Sequence, residues 1–251
     1  MNVRCQTRCV ALLFVTGTGT GVGKTVVTAA IAALACARGA RCAVVKPAQT
    51  GVPDGRPGDL AEIQRLAGGV ADGVEVHEPV RYPDPLSPAA AARLSGRDPL
   101  DPAVFASLLL SLEASHDVVL VEGAGGLLVR YDEDGLTLAD LARSVRAPVL
   151  VVASAGLGTL NATALTLEAL AHRGLELQGV VVGAWPDEPG LAERSNLPDL
   201  EVLAARPLLG ALPAGAGALE RAAFLEAARA GLGPQLGGSF DPRAFGSAHG
   251  H

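Results

Sequence analysis

A glycine-rich segment that ends in a lysine and a threonine is the strongest chemical signal in this sequence. It reads Thr16-Gly-Thr-Gly-Thr-Gly-Val-Gly-Lys-Thr25 and stands between an apolar run and an alanine-rich run. A strand, a glycine-rich turn and a helix N-terminus in this order favour phosphate binding, because backbone N–H groups and the helix dipole both attract an anion. Lys24 would reach the outer phosphates of a nucleotide, and the Thr25 hydroxyl would bind Mg²⁺. The sequence therefore predicts a P-loop, with a glycine-rich turn that binds no ligand as the alternative.

The loop departs from the general P-loop pattern in its spacing. Gly17 and Gly23 are separated by five residues instead of four, and Thr18 stands where the pattern has its first glycine. We therefore predict a variant P-loop. This motif is strong evidence for phosphate binding, but it says little about which reaction the protein catalyses.

Lysine is rare in this chain, so the two positions where it occurs are candidates for a chemical role. Of the 20 basic residues only Lys24 and Lys46 are lysines, and all the others are arginines. An arginine cannot replace a lysine where a compact charge on a flexible stem is required. Two such lysines suit a reaction in which negative charge builds on a transferring phosphoryl group.

Charged residues also follow the second and third apolar runs. Lys46 ends the run that starts at Cys42, and Glu122 ends the run that starts at Val118. Ligands of open α/β sheets bind at the carboxyl ends of the strands, so both side chains are expected at one site, with Glu122 as a Mg²⁺ ligand. Asp59 is a candidate third carboxylate. The alternatives are a surface lysine at 46, a turn carboxylate at 122 and a helix-dipole partner at 59.

A second candidate anion site follows the fourth apolar run. The segment Ser154-Ala-Gly-Leu-Gly-Thr-Leu-Asn161 opens a helix, and its exposed N–H groups predict a site for a carboxylate. The alternative is a glycine-rich helix cap with no ligand.

Apolar runs alternate with helical segments along most of the chain. We predict strands over residues 10–15, 42–45, 118–121, 148–153, 178–182 and 208–212, and helices over 24–38, 58–66, 102–114, 136–145, 159–172 and 219–230. This alternation predicts an α/β fold of the P-loop NTPase kind, with one doubly wound, mostly parallel sheet between helices. A single domain is expected over residues 10–231, after an N-terminal extension (1–9) and before a flexible glycine-rich tail (232–251). Residues 69–100 are rich in proline and glycine, and we predict only a helical turn there, over 89–94.

The composition excludes several classes of protein. The chain has 251 residues, 49% hydrophobic and 18% charged, and a formal net charge of −6. These values argue against a disordered chain, a basic nucleic-acid-binding protein and a polybasic membrane-surface protein. The four cysteines and five histidines lack the spacing of a zinc site, so reduced thiols are expected. No apolar stretch approaches ~18 residues and the run at 10–15 is too short for a signal peptide, so we expect a cytoplasmic protein.

Four motifs, taken in order, resemble those of the dethiobiotin synthetase family. They are Val15-Thr-Gly-Thr-Gly-Thr-Gly-Val-Gly-Lys-Thr25, Lys46-Pro-Ala-Gln-Thr-Gly51, Val121-Glu-Gly-Ala-Gly-Gly126 and Leu157-Gly-Thr-Leu-Asn161. The stretch Pro83-Asp-Pro-Leu-Ser-Pro-Ala89 is similar to the family's substrate-side loop. The resemblance extends from about residue 11 to residue 230, and the long P-loop spacing is the one that this family uses.

The resemblance implies a reaction. One amine of 7,8-diaminononanoate takes up CO₂ as a carbamate, which attacks the γ-phosphate of ATP or another nucleoside triphosphate. The second amine then closes a cyclic urea and expels phosphate, which makes the protein a Mg²⁺-dependent ligase of biotin biosynthesis.

The resemblance also implies roles for individual residues. Lys24 and Lys46 would stabilise the carbamate and the phosphoryl oxygens. Mg²⁺ would be held by Thr25, Asp59 and Glu122. Substrate contacts would come from Thr50, Thr159, Leu160 and Asn161, the last three from a partner subunit, so that a homodimer is implied. The nucleotide would contact Thr20, Gly21, Val22, Gly23, Lys24, Thr25, Glu122, Gly123, Ala124, Gly125, Gly183, Leu212, Pro213 and Ala214.

One segment departs from the family pattern, and two other functions are consistent with parts of the sequence. Gly183-Ala-Trp-Pro-Asp187 stands where many members have an Asn-Asp pair whose asparagine contacts adenine, so the preferred base is left open. A related ligase, such as one that makes cobyrinic acid diamides, would need a further glutaminase domain of ordinary domain size. A partitioning or cell-division ATPase would usually carry another lysine early in the P-loop, and none precedes Lys24.

Overall fold

A seven-stranded parallel sheet forms the centre of the molecule in the computed structural model, which describes residues 12–249. The strand order is β4-β2-β6-β1-β7-β8-β9. The strands of this sheet are β1 (Leu12–Gly17), β2 (Cys42–Val45), β4 (Val74–His77), β6 (Val118–Gly126), β7 (Val149–Ala153), β8 (Leu177–Trp185) and β9 (Gly210–Pro213). A second, two-stranded parallel sheet pairs β3 (Ala48–Gln49) with β5 (Val80–Arg81).

Helices cover both faces of the large sheet. They are α1 (Lys24–Cys36), α2 (Asp59–Ala67), α3 (Pro88–Ser95), α4 (Pro102–Ser115), α5 (Leu138–Ser144), α6 (Thr159–His172), α7 (Leu191–Ala204), α8 (Arg221–Gly231) and α9 (Pro242–His249). The doubly wound α/β fold predicted from the sequence is confirmed. Among the described residues no helix is both long and apolar enough to cross a membrane.

Side-chain alternation along the strands divides the core into two layers. In β1, Leu13 and Val15 pack with residues of α1, α2 and α8, whereas Phe14 points to the other face of the sheet. Both faces are covered, so each buried strand is a continuous apolar run. Since all six residues of β1 are buried, the strand holds its carboxyl end, and with it the start of the glycine-rich loop, in a fixed place.

One strand of the large sheet, β4, and one helix packed on it, α7, were not predicted from the sequence. Strand β4 extends the sheet beyond β2, in a segment whose many prolines and glycines indicated loop. Helix α7 contains Pro198 in its interior, and an internal proline normally ends or kinks a helix. Leu197 and Leu200 nevertheless anchor α7 in the core.

The C-terminal segment also differs from its prediction. Residues 232–249 include α9, and Leu232, Leu236 and Phe240 are buried. The ring of Phe245 in α9 lies edge-on to that of Trp185, with 5.2 Å between the centroids. These three side chains are four residues apart, but Gly233, Pro234, Gly237 and Gly238 lie between them and disfavour a helix, which is why the sequence indicated a flexible tail.

Candidate functional site

The glycine-rich loop lies between the end of β1 and the start of α1, as predicted. Gly23, the residue before α1, has a φ of 97°, a left-handed conformation that favours glycine. Helix α1 has no side-chain cap at its N-terminus, so its first N–H groups remain available to an anion. Lys24 reaches back over the loop, and its Nζ donates a hydrogen bond to the Gly19 carbonyl oxygen at 2.9 Å.

A buried group of charges lies beside this loop. Lys46 Nζ is 2.7 Å from Glu122 Oε1 and 2.6 Å from Asp59 Oδ2, and it donates to the Gly123 carbonyl oxygen at 3.1 Å. Glu122 is fully buried, and its Oε1 also accepts a hydrogen bond from Thr25 Oγ1 at 3.0 Å. The structure therefore brings together the carboxyl end of β2, the middle of β6 and the N-termini of α1 and α2.

The two lysines experience opposite electrostatic effects. Burial disfavours the charge on Lys46, but the carboxylates of Glu122 and Asp59 outweigh it and raise the pKa of this lysine. Burial, followed by repulsion from Lys46, lowers the pKa of Lys24. The partners of Lys46 thus favour its charged form, and a negative ligand beside Lys24 would favour the charged form of that lysine as well.

The oxygen atoms around Lys46 have the chemistry of a magnesium site. Glu122 Oε2 is buried without a hydrogen-bond partner among the described residues. The Thr25 hydroxyl donates to the other oxygen of Glu122, and the Asp59 carboxylate pairs with Lys46. Mg²⁺ prefers carboxylate and hydroxyl oxygens, usually with only one or two carboxylates and the phosphates of a substrate. These residues fit that description. No cluster of three or more His, Cys, Asp or Glu residues able to hold a metal occurs in residues 12–249.

A cavity of about 700 Å³ opens over these groups. Its walls include residues of the P-loop, Lys46, Gln49, Thr50, Asp59, residues 85–88 and residues of β6 from Glu122 onward. The predicted site residues that line it are Thr20, Gly21, Gly23, Lys24, Thr25, Lys46, Thr50, Asp59, Glu122, Ala124 and Gly125. This set contains every residue for which the sequence predicted metal or phosphoryl chemistry.

Other predicted site residues do not line this cavity. They are Val22, Gly123, Thr159, Leu160, Asn161, Gly183, Leu212, Pro213 and Ala214. Thr159 is buried and its hydroxyl donates to the Ser154 carbonyl oxygen at 2.6 Å. The N-terminus of α6, which was predicted to bind a carboxylate, therefore lies apart from the cavity of its own chain.

The backbone of Gly183 packs directly against the backbone of the P-loop. A Cβ atom at this position would lie 2.0 Å from the Val22 carbonyl oxygen, and one at Gly23 would lie 2.8 Å from the Gly183 carbonyl oxygen. The two backbones touch, so position 183 has no room for a side chain unless the P-loop shifts. At this position only backbone atoms are available to a nucleotide.

Sequence reasoning gave no role to several residues that shape the cavity. Gln49 and Val129 line it. The hydroxyl of Tyr131, fully buried, accepts a hydrogen bond from the Ala124 N–H at 3.1 Å and so holds the end of β6. Gln49 stands inside a motif quoted for the family resemblance, and that position was the available signal. Nothing in the sequence marks Tyr131.

Solved structures with the same architecture define the class. MinD, the septum site-determining protein of Pyrococcus horikoshii in complex with Mg-ADP, matches with a TM-score of 0.51 at 17% identity, over 86% of this chain and 85% of that one. A ParA family ATPase of Chlorobium tepidum gives 0.51 at 15% identity, over 90% and 95%. At these identities the likeness shows the fold alone. Together with the loop described above, it defines a protein of the P-loop NTPase class.

Sequence relatives define the family within that class. A family described as AAA domain matches residues 12–217. The ATP-dependent dethiobiotin synthetase BioD of Frankia casuarinae is 65% identical over 233 residues, 93% of this chain and 96% of the relative. The protein of the same name from Streptomyces coelicolor is 56% identical over 239 residues, 95% and 99%. The chain belongs to the ATP-dependent dethiobiotin synthetase family, which confirms the family and the enzyme function predicted from its motifs.

Proposed function

We propose that the protein makes dethiobiotin from 7,8-diaminononanoate, CO₂ and a nucleoside triphosphate, with Mg²⁺. The observation that carries the proposal is the placement of Lys46 Nζ between Glu122 and Asp59, at the mouth of a P-loop. A fixed cation beside the terminal phosphate is suited to an attacking anion such as a carbamate. We also propose that the enzyme acts in the cytoplasm.

The reaction has three steps, which these residues can assist. An amine and CO₂ form a carbamate with loss of a proton, and the charge of Lys46 would stabilise that carbamate. A carbamate oxygen attacks the γ-phosphorus and the nucleoside diphosphate leaves, while Lys24 neutralises charge on the phosphoryl oxygens. The second amine attacks the carbamoyl carbon, the ring closes, and inorganic phosphate leaves with the carbamate oxygen. Thr50, which lines the same cavity, would hydrogen-bond the carbamate end of the substrate.

Thr25, Glu122 and Asp59 would hold Mg²⁺ in this scheme. The ion, when bound, neutralises phosphate charge on the nucleotide. The unpartnered Oε2 of Glu122 is the atom of this chain that supports the assignment best.

Replacing Glu122 by glutamine is expected to raise the Mg²⁺ concentration needed for half-maximal activity by about tenfold or more, because it removes a negative oxygen ligand. Titration of activity with Mg²⁺ at saturating nucleotide measures the effect. Glu113→Gln, on the exposed side of α4, is the matched control and should leave the titration unchanged. An unchanged Mg²⁺ dependence in Glu122→Gln would remove Glu122 from the metal site.

We further propose a homodimer in which the N-terminus of α6 completes the substrate site of its partner. Helix α6 buries only Thr159, Thr163 and Leu170 of its 14 residues. Leu157 beside it is 91% exposed, and Leu165 on the helix is also exposed. An uncapped helix N-terminus next to exposed leucines fits a surface that binds a second copy and presents N–H groups to a carboxylate.

A dimer of this kind is expected to dissociate when charges enter that surface. Leu157→Asp combined with Leu165→Asp should give a monomer by sedimentation velocity, with turnover at least about tenfold lower, because a buried unpaired charge disfavours association. Ala223→Asp, which adds a carboxylate to α8 on the other face of the sheet, should leave the assembly unchanged. A wild-type monomer with full activity would contradict this proposal.

Phosphate release in an omission series tests the proposed reaction. Mg²⁺, bicarbonate and 7,8-diaminononanoate are left out in turn, and the series is run with ATP, CTP and GTP. We expect release only when all three are present, and the ranking of nucleotides then shows how the backbone at Gly183 affects the choice of base. Release that ignores the diamine would contradict the proposal.

A further inference from the structure

Gln49 has no role in the reaction described above, yet its side chain joins two walls of the cavity. The residue is 3% exposed. Its Oε1 accepts a hydrogen bond from the Asp59 backbone N–H at 2.8 Å, and its Nε2 donates to the Thr50 carbonyl oxygen at 3.1 Å. Each end of the amide group is therefore satisfied by the backbone of a residue at the site.

The bond to Asp59 caps helix α2 from outside the helix. The residue before α2 is Gly58, which has no side chain with which to cap the helix. The first N–H groups of a helix lack internal partners, and a side-chain oxygen normally satisfies one of them. Here the oxygen comes from β3, ten residues earlier in the chain.

Gly58 leaves the space that this cap requires. A Cβ atom at position 58 would lie 2.6 Å from Gln49 Oε1 and 2.9 Å from its Cδ. The φ and ψ angles of Gly58, −116° and −161°, are accessible to other residues, so the close approach of Gln49 and not the backbone conformation favours glycine here. The pair Gln49 and Gly58 thus forms one structural unit.

We propose that Gln49 is a positioning residue that fixes the carboxylate of Asp59 beside Lys46. Asp59 is the first residue of α2, so the position of its backbone decides where its carboxylate lies relative to Lys46 Nζ, 2.6 Å away. The same amide holds the carbonyl of Thr50. The proposal rests on the proposed function, which makes Asp59 a Mg²⁺ ligand and Thr50 a substrate contact. Displacements of about 1 Å in such groups cost up to about a hundredfold in rate.

Three variants separate the parts of this interaction. Gln49→Met keeps the length of the side chain and removes both hydrogen bonds. Gln49→Glu keeps an oxygen that can accept from the Asp59 N–H. Gly58→Ala leaves Gln49 in place but forces its amide group away. Gln64→Met on the same helix α2, whose side chain makes no hydrogen bond in the described structure, is the matched control.

Hydrogen–deuterium exchange of the Asp59 amide, followed by NMR in the full-length protein, is the first measurement. We expect exchange about tenfold faster in Gln49→Met and in Gly58→Ala, near wild-type exchange in Gln49→Glu, and no change in Gln64→Met. Unchanged exchange in Gln49→Met would overturn the proposal. The measurement does not depend on catalysis, so a protein inert toward the diamine would contradict the proposed function and leave this test intact.

The second measurement is the binding of Mn²⁺ in the presence of a non-hydrolysable ATP analogue, followed by electron paramagnetic resonance. The dissociation constant for Mn²⁺ should rise about fivefold to tenfold in Gln49→Met and in Gly58→Ala. The double variant of Gln49→Met and Gly58→Ala should bind Mn²⁺ no more weakly than the weaker-binding of the two single variants, because both substitutions break the same interaction. The kcat should fall while the KM for nucleotide stays constant, and Gln49→Glu should recover part of the kcat. Full additivity of the two effects would overturn the proposal.

Discussion

Replacing Lys46 by arginine is expected to reduce turnover about a hundredfold or more and to leave nucleotide affinity within a few-fold of the wild type. The ammonium group of Lys46 is buried and lies 2.6–2.7 Å from two carboxylates, with a carbonyl oxygen as a third partner. The planar guanidinium of arginine is larger and cannot occupy this space with the same contacts. In the proposed site the nucleotide phosphates bind to the P-loop and Lys24, which the change leaves in place.

Steady-state kinetics together with nucleotide titration of the same preparation separate the two effects. Arg143→Lys, an exchange of the two basic types on the exposed side of α5, is the control for the substitution itself and should not change turnover. Wild-type turnover in Lys46→Arg would refute the role given to this residue.

The buried ion pair of Lys46 and Glu122 is also expected to affect the stability of the protein. Lys46→Met leaves Glu122 buried without its cation, and breaking a buried ion pair in this way costs about 3–5 kcal/mol. Adding Glu122→Gln to that variant removes the unpaired charge and should restore most of the loss in thermal or denaturant unfolding. A loss that the second change does not restore would show that the pair does not act as a unit.

Replacing Gly183 by alanine should weaken nucleotide binding by about tenfold to a hundredfold. The new methyl group would lie 2.0 Å from the Val22 carbonyl oxygen and 2.7 Å from Val152 Cγ1, so the backbone of the P-loop has to shift. Overpacking of this kind costs about 1–3 kcal/mol, and here the displaced atoms are those predicted to bind phosphate.

Calorimetric titration with a nucleoside diphosphate measures the affinity of Gly183→Ala. Gly69→Ala is the matched control, because a Cβ at position 69 meets no atom within 4 Å, and it should bind as the wild type does. Wild-type affinity in Gly183→Ala would contradict the close contact of the two backbones and its part in shaping the loop.

The parts of the fold that follow one simple rule were predictable from the sequence. Buried parallel strands are continuous apolar runs, so the strands of the large sheet other than β4 could be placed by composition. Strand β4 could not, because it lies at the edge of the sheet and only Val74 in it is buried. The proline inside α7 and the spaced anchors of the C-terminal segment show tertiary packing overriding local preference.

The site was predictable where residue type alone carries the chemistry. Lys24 stands in the P-loop, and Lys46 and Glu122 each directly follow an apolar run of the sequence. The structure brings all three together. Gln49 and Tyr131 act through hydrogen bonds to backbone atoms at other positions. Such bonds depend on the fold, so residue type and spacing do not predict them, and only the motif around Gln49 gave a signal.

The measurement that tests the central claim most directly is the incorporation of label from ¹³C-bicarbonate, followed by mass spectrometry. The purified enzyme is incubated with Mg²⁺, ATP, 7,8-diaminononanoate and the labelled bicarbonate, and the phosphate released is measured in the same samples. We predict dethiobiotin one mass unit heavier than the unlabelled product, with one phosphate released for each ring closed. Phosphate release without the labelled cyclic urea would contradict the proposed reaction.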